Sequence, residues 1–213
     1  MLLQDKYTRG FNLLIDLFGS EISDTKVARL NEIHDRTEDL WKRYVKMIPN
    51  QAIKYVLFAE APPWSDSGSP QYILDPESKP RTLMRALSKA FFGGPIYKDV
   101  GVPRTLEMLA EQGFLVLDTL PFAMHYGQKR SRSTYPKLVT ECCATYLKEK
   151  TSSSKLKWND EVRLAFGFKV NARSVINALG GRIQLGEIKH IVSEELIAVT
   201  GTASRRNIRR INR

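Results

Sequence analysis

Tyr55 to Trp64, YVLFAEAPPW, constrains the fold more than any other stretch of the chain. Tyr55-Val56-Leu57-Phe58-Ala59 is a short, unbroken apolar run, and it reads as a strand buried in a sheet. Glu60 follows at its end, and Pro62-Pro63 turn the chain away. A parallel strand that ends in an acid and a rigid turn places that acid at the carboxyl edge of an α/β sheet, where sites are commonly built. The rest of the chain reads as a scaffold for this edge.

Residues 3 to 47 carry a helical period. Leu13, Leu14, Leu17 and Phe18 form one apolar stripe, and Ser23-Asp24 can cap a second helix bearing Val27, Leu30, Ile33, Leu40, Trp41 and Tyr44 on its faces. His34 sits among charged residues and reads as part of a solvated helix face. Residues 1 to 50 are therefore expected to form a helical appendage on the sheet, and residues 51 to 213 one globular α/β unit. Ser65 to Ser78 is a polar loop around a small apolar island, Tyr72-Ile73-Leu74. A long loop in this position is often a binding loop.

Further helices are expected over residues 80–92, 103–112 and 136–149, and another from Asn171 to Gly180. Further strands are expected over 114–117, ending at Asp118, over 162–168 and over 195–200. Four strands alternating with helices imply a parallel sheet with helices on both faces.

The chain has 213 residues, a net charge of +10 and a pI near 9.6. That balance favours an anionic partner, nucleic acid being the usual one; a scattered surface charge is the plainer alternative. Acid and base within the first ten residues argue against a signal peptide, and no apolar run approaches the ~20 residues of a membrane span. The two cysteines, Cys142 and Cys143, are adjacent and suggest a reducing compartment. They cannot by themselves make a four-cysteine zinc or iron–sulfur site, so no metal cluster and no cofactor are expected. These features predict an intracellular protein, of cytoplasm or nucleus, without a membrane span; a monomer is the default expectation, and the sequence does not fix the oligomeric state. No HExxH, P-loop, GxGxxG or GxSxG pattern occurs, which argues against zinc proteases, P-loop NTPases, dinucleotide oxidoreductases and serine hydrolases.

Three predicted strand ends carry polar groups: Glu60, Asp118 and the Thr202–Ser204 turn. In an open parallel sheet they share one edge and can line one crevice. Each is also a common cap or turn former. The segment Thr200 to Asn207, TGTASRRN, offers small residues and a helix start near Ser204 that would favour a phosphate, with Arg205, Arg206, Arg209 and Arg210 adding charge. A frayed basic tail is the alternative. The loop from Phe122 to Arg132 interleaves Phe122, His125 and Tyr126 with Lys129, Arg130 and Arg132, a pattern suited to stacking on bases with charge near the backbone. His190, in EIKHIV, reads as structural.

At these strand ends the chain resembles the uracil-DNA glycosylase superfamily, over roughly residues 52 to 212. FAEAPPW is similar to the first family motif, with Glu60, Ala61 and Pro62 on its glutamate, alanine and proline. FLVLDTLPF resembles the strand that in many members ends in a base-reading asparagine, and Asp118 falls there. TGTASRRN resembles the last motif, a His-Pro-Ser-type loop, with Thr202, Ala203, Ser204, Arg206 and Asn207 at its positions. The resemblance implies a three-layer α/β/α domain with a four-stranded parallel sheet, and a DNA N-glycosylase that hydrolyses the bond of a flipped base. It implies that Glu60 orients the water or stabilises the oxocarbenium-like transition state, with Thr202 and Ser204 completing the catalytic set. Asp118, Phe122, Pro62, Trp64 and Tyr72 would hold the base. Arg205, Arg206, Asn207, Arg209, Arg210, Lys129 and Arg130 would hold DNA.

Two positions depart from the family. Thr202 stands where the family has a histidine that supports charge on the departing base. Asp118 replaces an amide, and an ionised carboxylate only accepts hydrogen bonds, so a base with an exocyclic amine suits it better than uracil. A glycosylase-fold module that binds nucleic acid without catalysis, and a nucleoside or nucleotide hydrolase, are the competing expectations.

Overall fold

The computed structural model describes residues 2–18, 22–80, 82–124, 133–166 and 174–175. β1 (Ala52–Ala59) is the middle strand of the described sheet, which runs in the order β2-β1-β3 with β2 (Phe114–Asp118) and β3 (Lys157–Phe166) parallel to it. The apolar run at 55–59 is thus a strand with a neighbour on each side. It begins three residues earlier than the apolar pattern marks, because Ala52 and Ile53 also pair, with Lys157 and Trp158. β3 likewise starts before its expected residue 162, and its register against β1 shifts between Ile53 and Tyr55. The expected strand over 195–200 lies outside the described residues.

β1 leads to β2 through α4 (Thr82–Phe92) and α5 (Tyr97–Glu111). β2 leads to β3 through α6 (Thr134–Cys142), a π-helical turn (Cys143–Leu147) and α7 (Lys148–Thr151). The two crossovers run in opposite directions across β1, and right-handed connections then place their helices on opposite faces. The protein is therefore an α/β fold with layers of helix on either side of the sheet. Phe91 of α4 packs edge-on against Tyr55 and Phe114, its ring 5.2 and 5.3 Å from theirs. α5 starts earlier than Pro103 and is broken at Gly101, whose φ is +81°. Gly113 turns α5 into β2 at φ +72°; a Cβ there would stand 2.7 Å from the Ala52 carbonyl oxygen, so only glycine fits.

At the N-terminus, α1 (Leu3–Lys6), α2 (Thr8–Phe18) and α3 (Asp24–Met47) belong to the same apolar core as the sheet. Ser23 caps α3, its hydroxyl accepting from the Lys26 amide at 3.4 Å. α3 lies along β2. The Gly113 carbonyl accepts from the Lys54 and Tyr55 amides of β1, so the carbonyls of Phe114 and Val116 point the other way, to the open edge. α3 closes that edge with side chains. Trp41 Nε1 donates to the Val116 carbonyl and Tyr44 Oη to the Phe114 carbonyl, each at 3.0 Å. Both side chains are buried, so neither acceptor is left to water or to another strand.

Tyr44→Phe keeps the ring and leaves the Phe114 carbonyl buried without its donor. It should cost about 1–2 kcal/mol in urea denaturation, as removal of one partner of a buried bond does. A change under about 0.5 kcal/mol, the range of ordinary surface substitutions, would contradict the edge-closing role.

Candidate functional site

Glu60 leaves the carboxyl end of β1, and Asp118 is the last residue of β2, paired in register with Ala59. In a 2-1-3 parallel order the switch point lies between the carboxyl ends of β1 and β3, and Glu60, at the end of β1, borders it. The two turns beyond the strands are laced together. The Thr119 and Leu120 amides donate to the Ala59 and Glu60 carbonyls, Met124 donates to Pro62, and Trp64 donates back to Met124. Pro62-Pro63 therefore extends the β1–β2 ladder past the strands as well as turning the chain.

Both carboxylates are buried, Glu60 at 6% exposure and Asp118 at 2%. Each is met by a tyrosine hydroxyl. Tyr135, near the start of α6, donates to Glu60 Oε1 at 2.5 Å. Tyr72, in the loop after β1, donates to Asp118 Oδ2 at 2.9 Å. Burial pushes the Asp118 carboxyl up to about 6, while the charge of Lys150 and the Tyr72 hydroxyl pull the other way. Burial, and then the charge of Asp118, hold the Tyr72 phenol well above its ordinary range, so it stays a donor.

Behind Asp118 lies a buried charge cluster. Lys150 Nζ is 2.7 Å from Glu38 Oε1, and the same oxygen accepts from Tyr146 Oη at 2.7 Å. The Lys150 ammonium sits 4.3 Å from the Trp41 ring centre and 4.8 Å from that of Tyr146. Burial raises the Glu38 carboxyl, but Lys150 and the Tyr146 hydroxyl outweigh it and hold it below its ordinary value. His34 is not on a solvated face: its Nδ1 is 3.2 Å from the Pro121 carbonyl, and its ring meets Tyr7 and Tyr146. Burial lowers its pKa.

The loop from 65 to 78 is fixed by the same helix. Arg29 of α3 donates to the Ser65 carbonyl at 2.8 Å and also to that of Gly68. Arg36 pairs with buried Asp75 at 3.2 Å, and Asp75 in turn accepts from the Glu77 amide. The apolar island is an anchor: Tyr72 and Leu74 are buried.

Two of the expected base-binding aromatics are therefore closed. Phe122 is fully buried, its ring against Tyr7 and Phe11, so in this structure it is core rather than a stacking surface. Tyr72 is spent on Asp118, and Asp118 correspondingly on Tyr72. Pro62 is buried beneath the laced turns, while Trp64 is half-buried, with Nε1 bonded to Asp66 at 2.8 Å. Of the expected catalytic and base-binding residues, those described gather at one sheet edge, as the strand pattern requires. Thr202, Ser204, Arg205, Arg206, Asn207, Arg209, Arg210, Lys129 and Arg130 lie outside the described residues, as do His125, Tyr126, Arg132 and His190.

Comparison with protein-family models, curated proteins and solved structures finds no match to this chain.

Other features carry less chemistry. Burial raises both cysteine thiols, Cys143 to about 12, so neither is a nucleophile near neutral pH. A groove of about 470 Å³ between α2 and α6 is lined by Arg9, Asp16, Lys137 and Glu141. Its charges are of both signs, and Arg9 is already 3.4 Å from Glu141, so it lacks the single-sign field that a phosphate chain would need. Among the described residues, no group of three or more His, Cys, Asp or Glu side chains is placed to hold a metal ion, and no helix is long and apolar enough to cross a membrane.

The Asp118 shift has a definite sign. Its folded pKa, about 6, lies above the ordinary 3.8, so between these values the native protein holds a proton that the unfolded chain has released. This contribution to stability is full below pH 3.8 and is lost as pH rises through 6. Asp118→Asn should therefore gain on wild type by about 2–3 kcal/mol between pH 4 and pH 7, read by urea denaturation across that range. A constant difference between the two proteins over the range would show that Asp118 is not held this way.

Proposed function

We propose that the protein is a DNA N-glycosylase-like hydrolase whose catalytic carboxylate is Glu60. The observation that carries this reading is the position of Glu60: buried, at the end of the central strand, held by a tyrosine hydroxyl and followed by a turn laced to the neighbouring strand. A buried carboxylate in a fixed orientation suits water activation or support of a sugar cation. The excess of cations, +10 overall, suits a polyanionic substrate.

In this reading a base is extruded from the duplex, at a cost of a few kcal/mol offset by phosphate and stacking contacts. The C1′–N bond breaks with its electron pair leaving on the base. The oxygen of a water molecule bonds to C1′. One water proton passes to Glu60 and is returned to the departing base, so that an abasic sugar and a neutral base result. Half-buried Trp64, next to the Pro62-Pro63 turn, is the described aromatic best placed to meet the nucleotide.

A second reading is a glycosylase-fold module that binds nucleic acid without catalysis. It draws on the closure of Asp118 and Tyr72 on one another and of Phe122 in the core, which removes three groups expected to hold a base.

The test is strand cleavage. Labelled DNA carrying uracil, hypoxanthine, xanthine or only normal bases is incubated with wild type and Glu60→Gln, then heated in alkali to break abasic sites. Cleavage at one base by wild type, lost by at least about 100-fold in Glu60→Gln, is the expected result. Equal turnover by the two proteins would remove Glu60 from the mechanism. Retarded DNA on a gel with no cleavage of any substrate would favour the binding module.

A further inference from the structure

The hydrogen bonds at the sheet edge form a crossed pattern. The connection that follows β1 supplies Tyr72 to the carboxylate of β2, and the connection that follows β2 supplies Tyr135 to the carboxylate of β1. The two pairs differ in their surroundings. Asp118 and Tyr72 adjoin the Lys150–Glu38 cluster, Glu38 acting on both and Lys150 on Asp118, and Tyr72 anchors a loop that α3 also holds. That pair has a structural task. Glu60 instead borders the switch point, on the strand whose end the fold leaves for a ligand.

We propose that Tyr135 is a positioning residue for Glu60, its hydroxyl helping to set the orientation of the carboxylate that acts on substrate. This rests on the function proposed above. The bond is short, 2.5 Å, and spans 75 residues of sequence between two elements that meet only through the fold. Both side chains are buried, at 5% and 6% exposure, so the carboxylate has little room to rotate away. A phenol is suited to the task. It has two rotatable bonds against three in glutamate, and its ring is held by packing while its hydroxyl reaches a polar partner. Helix α6 fixes it further, since Pro136 follows directly within the first turn, where proline is tolerated and stiffens the chain. Phenylalanine would fill the same volume without orienting anything.

The experiment compares Tyr135→Phe with Tyr44→Phe in the strand-cleavage assay on the wild-type substrate. Each substitution deletes one buried hydroxyl, but the Tyr44 hydroxyl lies on the far edge of β2. Tyr135→Phe should lower kcat by about tenfold or more with KM within about twofold, because a bond to a charged group is lost only at the reacting end. Tyr44→Phe should keep the wild-type kcat per folded molecule. Unchanged kcat in Tyr135→Phe, or an equal fall in both variants, would overturn the positioning role while leaving the function reading in place. Absence of turnover by wild type on every substrate would overturn both.

If Tyr135→Phe does not fold, 2,3-difluorotyrosine at position 135 serves instead, since it keeps the shape and makes the hydroxyl a stronger donor. The acid limb of the kcat profile should then move to lower pH, and an unmoved profile would overturn the proposal.

Discussion

The contact between α3 and the open edge of β2 is the constraint on which the rest of the fold depends. A parallel sheet that ends in a bare strand offers its carbonyls to water or to another chain. Here Trp41 and Tyr44 take the outward carbonyls of Val116 and Phe114, and they do so from within the core. That fixes where the sheet stops and holds β2 in place, and with it the register that sets Asp118 beside Ala59. The same helix then reaches over the carboxyl edge through Arg29 and Arg36 and ties down the loop after β1. Residues 24–47 are thus a wall of the fold rather than an attachment to it.

A second constraint follows from burying charge at the strand ends. A carboxylate out of water needs donors, and each one here finds a tyrosine hydroxyl from the neighbouring crossover. Lys150 is a comparable case. Its ammonium is buried only because Glu38, Trp41 and Tyr146 surround it with a counter-charge and two aromatic faces. Removing one member of such a set leaves the others uncompensated, which binds α3, α7 and the end of β2 into one unit. Glu60 is met by a tyrosine of another element, Tyr135 of α6.

Much of this was legible in the sequence. The run from Tyr55 to Ala59 is apolar at every position, a pattern that a doubly covered parallel strand produces, and Glu60 at its end marks the edge. The 3.6-residue period of α3 showed Leu40, Trp41 and Tyr44 as an inward face, but periodicity says which residues turn inward and not which carbonyls they meet. His34 was hidden by its charged neighbours, because its partner, the Pro121 carbonyl, is 87 residues away. Phe122 looked like a stacking group because basic residues follow it. It is instead a core residue, pinned by Tyr7 and Phe11 from an N-terminal segment that no local pattern links to it. Tyr135 was missed for the same reason: a single tyrosine at a helix start carries no signal of a partner 75 residues upstream.

The central claim is that the sheet edge at Glu60 is where nucleic acid docks. It is tested most directly by the indole N–H resonances of the chain's three tryptophans during titration with DNA bearing an abasic-site analogue. Trp64 stands four residues past Glu60 and is half-buried, whereas the Trp41 indole is locked onto the Val116 carbonyl inside the core. The Trp64 resonance is expected to shift with saturable dependence on DNA while that of Trp41 holds still. DNA binding that leaves Trp64 unmoved would contradict it.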